Sequence, residues 1–328
     1  MVEKKVGIVG LGKYLPEHHL TNKDLEKMVE TTDEWIIGRT GIKERRVAGD
    51  DEATSDMAVN AAKNALEDAK LKPEDIDLII VATITPDMFF PSTACIVQNR
   101  LGINNAPAFD ISVACSGFIY GIAIASQFIK TGAYKHVLLI AAEKMSSVTD
   151  WKDRSTCVLM GDGAGAAVLG EVEEGGILSI YLGADGSKGN LLKMPAGGSR
   201  LPASMTTIEG RMHFLKMQGN ELFKHAVRIM AEAALKATEP IGIKSDDISL
   251  IIPHQANLRI LNAVARRMGI DPDKKLYLNI EKYGNMSAAS TAVALAEAVE
   301  EGRVKKGDII LLDAFGAGLT WGAIVIKW

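Results

Sequence analysis

Three residues in this sequence have types and settings suited to covalent acyl chemistry. Cys115 stands in the run Asp110-Ile111-Ser112-Val113-Ala114-Cys115-Ser116-Gly117-Phe118, where a short apolar strand ends and a helix of small residues begins. A thiol of ordinary pKa, about 8.5, is mostly protonated at neutral pH, and a helix N-terminus and a nearby imidazole both favour the thiolate. His254 follows Pro253 at the end of Leu250-Ile251-Ile252, and Asn285 lies in Tyr283-Gly284-Asn285-Met286-Ser287. A neutral imidazole donates one hydrogen bond and an amide NH2 donates two. Neither brings a full charge, so together they can stabilise an oxyanion or enolate without trapping it as an ion pair. Taken singly, each has a plainer explanation. Free cysteine is often a small buried hydrophobe, histidine a satisfied core group, and asparagine a helix cap. Their placement in the chain decides between the two.

That placement depends on an internal duplication. Residues 75–85, DIDLIIVATIT, resemble residues 247–257, DISLIIPHQAN, and each follows an alanine-rich helical stretch. The segment from Ser116, SGFIYGIAIASQFIKTGAYKHVLLIAAE, parallels SAASTAVALAEAVEEGRVKKGDIILLDAFG from Ser287. The offset, roughly 172 residues, is too long for a solenoid repeat and suits a duplicated domain. The expected halves are residues 1–172, carrying Cys115, and 173–328, carrying His254 and Asn285. Each alternates strands with helices, so the fold class is α/β. The continuous apolar strands at 78–82, 137–141, 250–252 and 309–312 are expected in sheets covered on both faces, as parallel sheets are. The small-residue helices after Cys115 and Asn285 are expected inside, around a pseudo-twofold axis that brings the three residues together. The irregular segment 184–214 reads as a lid, channel wall or disordered insert.

Composition excludes several classes. The chain has 328 residues, 47% hydrophobic and 24% charged, with a formal net charge of -4, which argues against a nucleic-acid binder. Three cysteines, at 95, 115 and 157, make neither a disulfide framework nor a metal-ligand cluster. Cys95 and Cys157 are expected buried and inert. The start Met-Val-Glu-Lys-Lys has no signal-peptide pattern, and the longest apolar helix, 117–129, is too short to span a bilayer. A cytoplasmic protein is expected. The run Gly161-Asp162-Gly163-Ala164-Gly165 lacks a phosphate-loop lysine and is expected as a tight turn beneath the site.

Other residues suit recognition. Trp35 and Arg39, four apart in TTDEWIIGRTGIKERR, share a helix face and could sandwich a purine. Arg259 and Arg266 lie seven apart on the helix after His254, and Lys224 and Arg228 repeat the pattern on the helix from Gly219. A local basic patch on an acidic protein suits electrostatic docking of an acidic partner.

The segments VACSGF, IIPHQANLRI, YGNMSAAS, GDGAGAAVLG and FGAGLTWGA resemble those of β-ketoacyl-acyl carrier protein synthase III, the condensing enzyme that starts bacterial fatty-acid synthesis on the thiolase fold. The likeness runs from Val6 to Trp328. It implies a thiolase-like, duplicated five-layer α-β-α-β-α sandwich and a homodimer, with acyl-coenzyme A and malonyl-acyl carrier protein as partners and no metal or prosthetic group. Cys115 matches the nucleophile that becomes a thioester, and His254 and Asn285 match the pair that stabilises the enolate after decarboxylation. The oxyanion turn matches Phe315, Gly316, Ala317 and Gly318, with Ala317 replacing a common glycine. Trp35 and Arg154 match coenzyme A adenine contacts, and Asn257 matches a pantetheine contact. Phe90 matches a residue reaching into the partner subunit's acyl pocket. Gln255, Ala256, Asn257, Leu258 and Arg259, with Lys224 and Arg266, fall on the expected carrier-docking surface.

Rival readings have weaker support. Degradative thiolases use a second cysteine near the C-terminal turn, and none follows Cys157. Elongating condensing enzymes carry two histidines where this chain has His254 and Asn285. Plant-type polyketide synthases share the Cys-His-Asn set but are longer, with different flanking motifs. A Cys-His hydrolase would need water admitted to the thioester, and a non-enzymatic acyl-binding scaffold would leave the three residues without purpose. The primer, whether acetyl, propionyl or branched, is left open.

Overall fold

The computed structural model describes residues 4–328. Its first sheet is built from β1 (Val6–Tyr14), β2 (Leu78–Ala82), β3 (Ala108–Ile111), β4 (Val137–Lys144) and β5 (Asp162–Glu171), in the order β1-β5-β4-β2-β3. The second contains β6 (Gly176–Ala184), β7 (Leu250–Pro253), β8 (Ile309–Gly316) and β9 (Thr320–Lys327), in the order β6-β9-β8-β7. From β1 or β6 inward, both sheets run antiparallel, antiparallel, parallel. The sheets are therefore mixed, where the apolar runs had suggested parallel ones. The four runs picked out by their hydrophobicity are the parallel pairs, β2 with β4 and β7 with β8. The fifth strand of the first sheet, β3, has only an echo in the second, a single bridge between Ile251 and Leu276.

Alternation along the strands produces the layers, because successive side chains leave opposite faces. Ile79 and Val81 of β2, with Leu138 and Ile140 of β4, pack against α2 (Thr54–Ala69) and α3 (Thr93–Leu101). Leu78, Ile80, Leu139, Ile252 and Leu312 point instead at α4 (Gly117–Lys130) and α7 (Ala289–Glu300), between the sheets. Ile251 and Leu311 face α5 (Gly219–Thr238) and α6 (Leu258–Arg267) on the far side. Helices, sheet, helices, sheet, helices: the five-layer expectation holds. The central helices can be enclosed because α7 is mostly small residues and α4 places glycine or alanine at its close contacts. Every residue of α7 from Ala289 to Ala298 is buried. A methyl on Gly117 would come 3.1 Å from Ala288 Cβ.

The Gly161–Gly165 run is not a turn. Gly163 and Gly165 lie within β5, and Gly161 immediately precedes it. Added Cβ atoms would meet Tyr283 O at 2.3 Å, Met286 Sδ at 2.7 Å and Ala292 Cβ at 2.5 Å. The glycines thus let the segment bearing Asn285 lie directly on the first sheet. Cys157 is buried as expected, but Cys95 is exposed on α3. Among the described residues no helix is long and apolar enough to cross a membrane.

Gly165→Val places bulk against the α7 backbone, whose Ala292 carbonyl carbon lies 2.8 Å from the added Cβ. Overpacking of this kind costs roughly 1–3 kcal/mol. The urea midpoint should fall accordingly, and a midpoint equal to that of the unaltered protein would show that the central layer is not close-packed here.

Candidate active site

Cys115 sits on a strained connection between β3 and α4. Ala114, just before it, has φ +47°, a left-handed conformation that costs a non-glycine residue about 1–3 kcal/mol and survives only where the surroundings enforce it. Here the other half of the chain enforces it. Thr320 Oγ1, on β9, donates to Val113 O at 3.2 Å, and Ser116 Oγ donates to Thr320 O at 3.1 Å. Gly316, at the end of β8, lies so close that a Cβ there would be 2.8 Å from Cys115 N and 3.1 Å from its Cβ.

His254 arrives from β7. Its N–H donates to Asp313 O on the parallel neighbour β8 at 2.7 Å, which continues the strand register one residue further. Its Nδ1 is sealed in without a partner, which leaves Nε2 for the cavity. Asn285 is held on both sides of its backbone: its N–H donates to Leu159 O at 2.8 Å, and its own O accepts from Gly161 N at 3.0 Å. Its side-chain Oδ1 accepts from Ser287 N at 2.9 Å. The oxygen being engaged, the NH2 group is what Asn285 offers a ligand.

Burial governs the charge states. Desolvation pushes the Cys115 thiol up to about 12, opposed by the Ser287 side chain and reinforced by the Glu143 carboxylate. Desolvation alone drives His254 down to about 3, so its imidazole is neutral. The resting site is accordingly a neutral thiol beside neutral donors. The thiolate expected from the helix start and the imidazole is not its resting state.

The three residues line one cavity of about 1070 Å³, together with Phe315, Gly316, Ala317 and Gly318. One side of its mouth is built by two connections that correspond in the duplication. The β1-to-α2 connection supplies α1 (Asp33–Thr40), which presents Trp35 and Arg39, and the β6-to-α5 connection supplies Leu192, Lys193, Met194, Leu215 and Met217. The irregular 184–214 segment is thus a cavity wall, braced by pairing of residues 192–193 with 216–217.

Comparison with known proteins now bears on this arrangement. Family models described as 3-oxoacyl-[acyl-carrier-protein] synthase III and its C-terminal region match residues 109–186 and 239–328. A β-ketoacyl-[acyl-carrier-protein] synthase III of Caldanaerobacter subterraneus is 62% identical, covering 100% of this chain and 99% of its own. The chain belongs to that family. A synthase III from Clostridioides difficile is 58% identical over 99% of this chain and 98% of its own. The crystal structure of the Aquifex aeolicus synthase III superposes with a TM-score of 0.91 at 52% identity, covering 98% of this chain and 100% of that one. The chain is therefore a thiolase-fold condensing acyltransferase of fatty-acid biosynthesis.

Against the synthase III expectations, the remaining residues divide. Trp35 is flanked by two cations, with Arg154 4.8 Å and Arg39 5.8 Å from its ring centroid. Thr32 caps the helix of Trp35 and Arg39 through Trp35 N at 3.2 Å, while Arg154 comes from a separate short helix, Arg154–Cys157. Asn257 lines the cavity while capping α6, its Oδ1 accepting from Arg259 N at 2.9 Å and its Nδ2 donating to Arg39 O at 3.1 Å. Ala317 has no positive φ; the left-handed residue of its turn is Gly318, at +136°. A side chain at 317 thus carries no backbone penalty. Ala256, Arg259 and Lys224 border the cavity mouth, Arg266 is exposed, and Leu258 packs on Gly41.

Gln255 is the correction. It is fully buried, with Nε2 donating to Pro253 O and Tyr277 O, and Oε1 accepting from Asn279 N and Ile280 N. Its amide is spent inside the protein, so no carrier can dock on it. Phe90 does not touch this chain's cavity; it is 85% exposed, beside Phe89 at 79%. Sequence reading missed Glu143, Ser287, Thr83 and Thr85. Glu143 had a signal, being the first charge after the apolar run Val137–Ala142, at a position facing the central layer.

The buried neutral His254 has a pH signature. Below about pH 6.5 the unfolded chain binds a proton at this histidine while the folded one does not until about pH 3. The His254 contribution to stability should therefore fall as pH drops through that window, by at most about 1.4 kcal/mol per unit. The raised Glu143 contributes with the opposite sign, so the histidine is read from the difference between the unaltered protein and a His254 variant. His254→Gln should remove this slope in urea titrations at pH 5 and pH 7. An unchanged slope would mean that the imidazole is charged in the folded state.

Proposed function

We propose that this synthase III takes a short acyl group from acyl-coenzyme A onto Cys115 and condenses it with malonyl-acyl carrier protein. The observation that carries this reading is the convergence of Cys115, His254 and Asn285 on one cavity whose mouth holds an indole between two guanidinium groups. Adenine is held by Trp35 and Arg154, with Arg39 beside them. The pantetheine arm runs inward past Asn257. The thioester carbonyl then lies over Cys115, its oxyanion accepting from backbone N–H groups of Cys115 and the Gly316–Gly318 turn. Sulfur–carbon bond formation expels coenzyme A and leaves the acyl-enzyme.

The carrier docks on the Arg259, Arg266 and Lys224 side of the mouth and delivers its malonyl thioester through the same opening. Loss of carbon dioxide puts negative charge on the thioester oxygen, which accepts from His254 Nε2–H and the Asn285 NH2 group. Both donors are uncharged and fixed in advance, which lowers the barrier without holding the enolate too firmly. The enolate carbon attacks the Cys115 thioester, and the thiolate leaves. Two copies would complete the acyl pocket, with exposed Phe89 and Phe90 of each covered by the other.

Incubation with acetyl-coenzyme A should add one acetyl mass to the intact protein. Cys115→Ser should abolish the adduct, and malonyl-acyl carrier protein should discharge it to 3-ketoacyl carrier protein. Discharge by water alone would identify a hydrolase. His254→Ala and Asn285→Ala should each slow carbon dioxide release on the order of 100- to 1,000-fold while leaving acylation within a few fold. Equal loss in both half-reactions would remove the proposed division of roles. Trp35→Ala should raise the KM for acetyl-coenzyme A about tenfold, the loss of a contact worth near 1.4 kcal/mol, with little change in kcat.

A further inference from the structure

Acylation of Cys115 leaves one question open: where the thiol proton goes. Burial holds the thiol protonated, and His254, being neutral with a strongly depressed pKa, is a poor acceptor. Beneath Cys115 lies a carboxyl group with no part in the chemistry so far. Glu143 is the seventh residue of β4 and, by alternation from Leu139 and Ala141, points into the central layer rather than outward. It is wholly buried. Its Oε2 accepts from Thr85 Oγ1 at 2.6 Å, Thr83 Oγ1 at 3.1 Å and Ile84 N at 3.1 Å, while its Oε1 meets no partner. The Ser287 hydroxyl lies close to both the Glu143 carboxyl and the Cys115 thiol, and closes a full hydrogen bond with neither in the resting structure. Ser287 is held there in a left-handed conformation, φ +49°, with its N–H on Asn285.

We propose that Ser287 and Glu143 form a proton relay that takes the Cys115 proton during acylation and returns it after condensation. The relay rests on the thioester reading above. In the forward step, the Sγ–H proton passes to Ser287 Oγ as the Ser287 proton passes to Glu143 Oε1. The thiolate attacks the acyl carbon, the bond to coenzyme A sulfur breaks, and the departing coenzyme A thiolate takes a proton from solvent. In the condensation step the enolate displaces the Cys115 thiolate, and the stored proton returns from Glu143 through Ser287. The one proton consumed in the whole reaction thus enters during acylation.

The surroundings suit a group that must change its charge. Burial raises the Glu143 pKa to about 7, so both protonation states are accessible near neutrality. The groups facing it are neutral, namely Thr83, Thr85, the Ile84 N–H and Ser287, with Cys115 as the titratable neighbour. Charged residues on the adjoining elements are engaged elsewhere. Lys144 donates to Gly49 O and Glu52 O, Asp162 accepts from Ser146 and Ala48 N, and Asp87 accepts from Ser55. Ser287 neighbours the reacting sulfur, and Glu143 acts through it.

The test is proton uptake in a single acylation half-reaction. Full-length protein is mixed with acetyl-coenzyme A, without carrier protein, in weakly buffered indicator dye at pH 8, and acyl-enzyme is counted by intact mass. The relay predicts a transient uptake approaching one proton per acyl-enzyme, followed by release as Glu143 re-equilibrates at pH 8, with an acylation rate that inflects near pH 7 and falls on the order of 100-fold in Glu143→Gln. Glu143→Gln should take up no proton, because its thiol proton leaves with coenzyme A. Ser287→Ala, which leaves the carboxyl in place, should behave in the same way, so a poorly folding Glu143→Gln does not blunt the test. Acylation by the unaltered protein without proton uptake, or variants that keep the uptake and the inflection, would overturn the relay and leave the thioester reading intact. Absence of any acyl adduct in the unaltered protein would overturn the thioester reading, and the relay with it.

Discussion

The site depends on contact between two parts of the chain some two hundred residues apart. Gly316 lies against the amide of Cys115 at a distance that no side chain would allow, and Thr320 and Ser116 bond across the same junction. That junction forces Ala114 into its left-handed turn, so the nucleophile takes its shape only when the halves have docked. Asn285 depends on the same docking through the glycines of β5, whereas His254 is set within its own half by the register of β7 on β8. A failure of the halves to dock would therefore disturb Cys115 and Asn285 together. The small residues of α7, with Gly117 at the start of α4, are what permit so close an approach.

The second constraint is the absence of fixed charge around the sulfur. Low dielectric surroundings strengthen every dipole aimed at the reacting atoms. They also penalise any charge present before the reaction. Desolvation therefore holds Cys115 and His254 neutral, and it lets Glu143 take either form near neutral pH. The positive charges of the cavity lining are carried by Arg39, Lys193, Lys224 and Arg259, all exposed, where water screens them and where anionic ligands would arrive.

Much of this was legible in the sequence, because the duplication is written in apolar strands and small-residue helices whose periodicities survive. The same patterning could not reveal strand direction. A buried antiparallel strand such as β5 is as apolar as a parallel one, which is why the sheets were expected to be parallel. The glycines of Gly161–Gly165 misled for a related reason: glycine signals either a turn or a close approach, and only the position of α7 separates them. Gln255 sits in the same short segment as exposed Arg259, and spacing cannot show that its amide is consumed by four backbone groups. Glu143 and Ser287 escaped notice because one lies on a strand of the first sheet, the other just before α7 far along the chain, and no local motif joins them.

Two corresponding connections, each leaving its half at the same point in the chain order, supply one side of the cavity mouth, while the floor belongs to the strands and helices themselves. Recognition and reaction are thereby assigned to mechanically separate parts. Lengthening a loop or exchanging Leu192 or Met194 would reshape the entrance without moving a buried helix, since these residues join the scaffold only at its rim. A chain built in this way can change what its entrance admits by small steps, each leaving a working catalyst, whereas the floor admits almost no change at all.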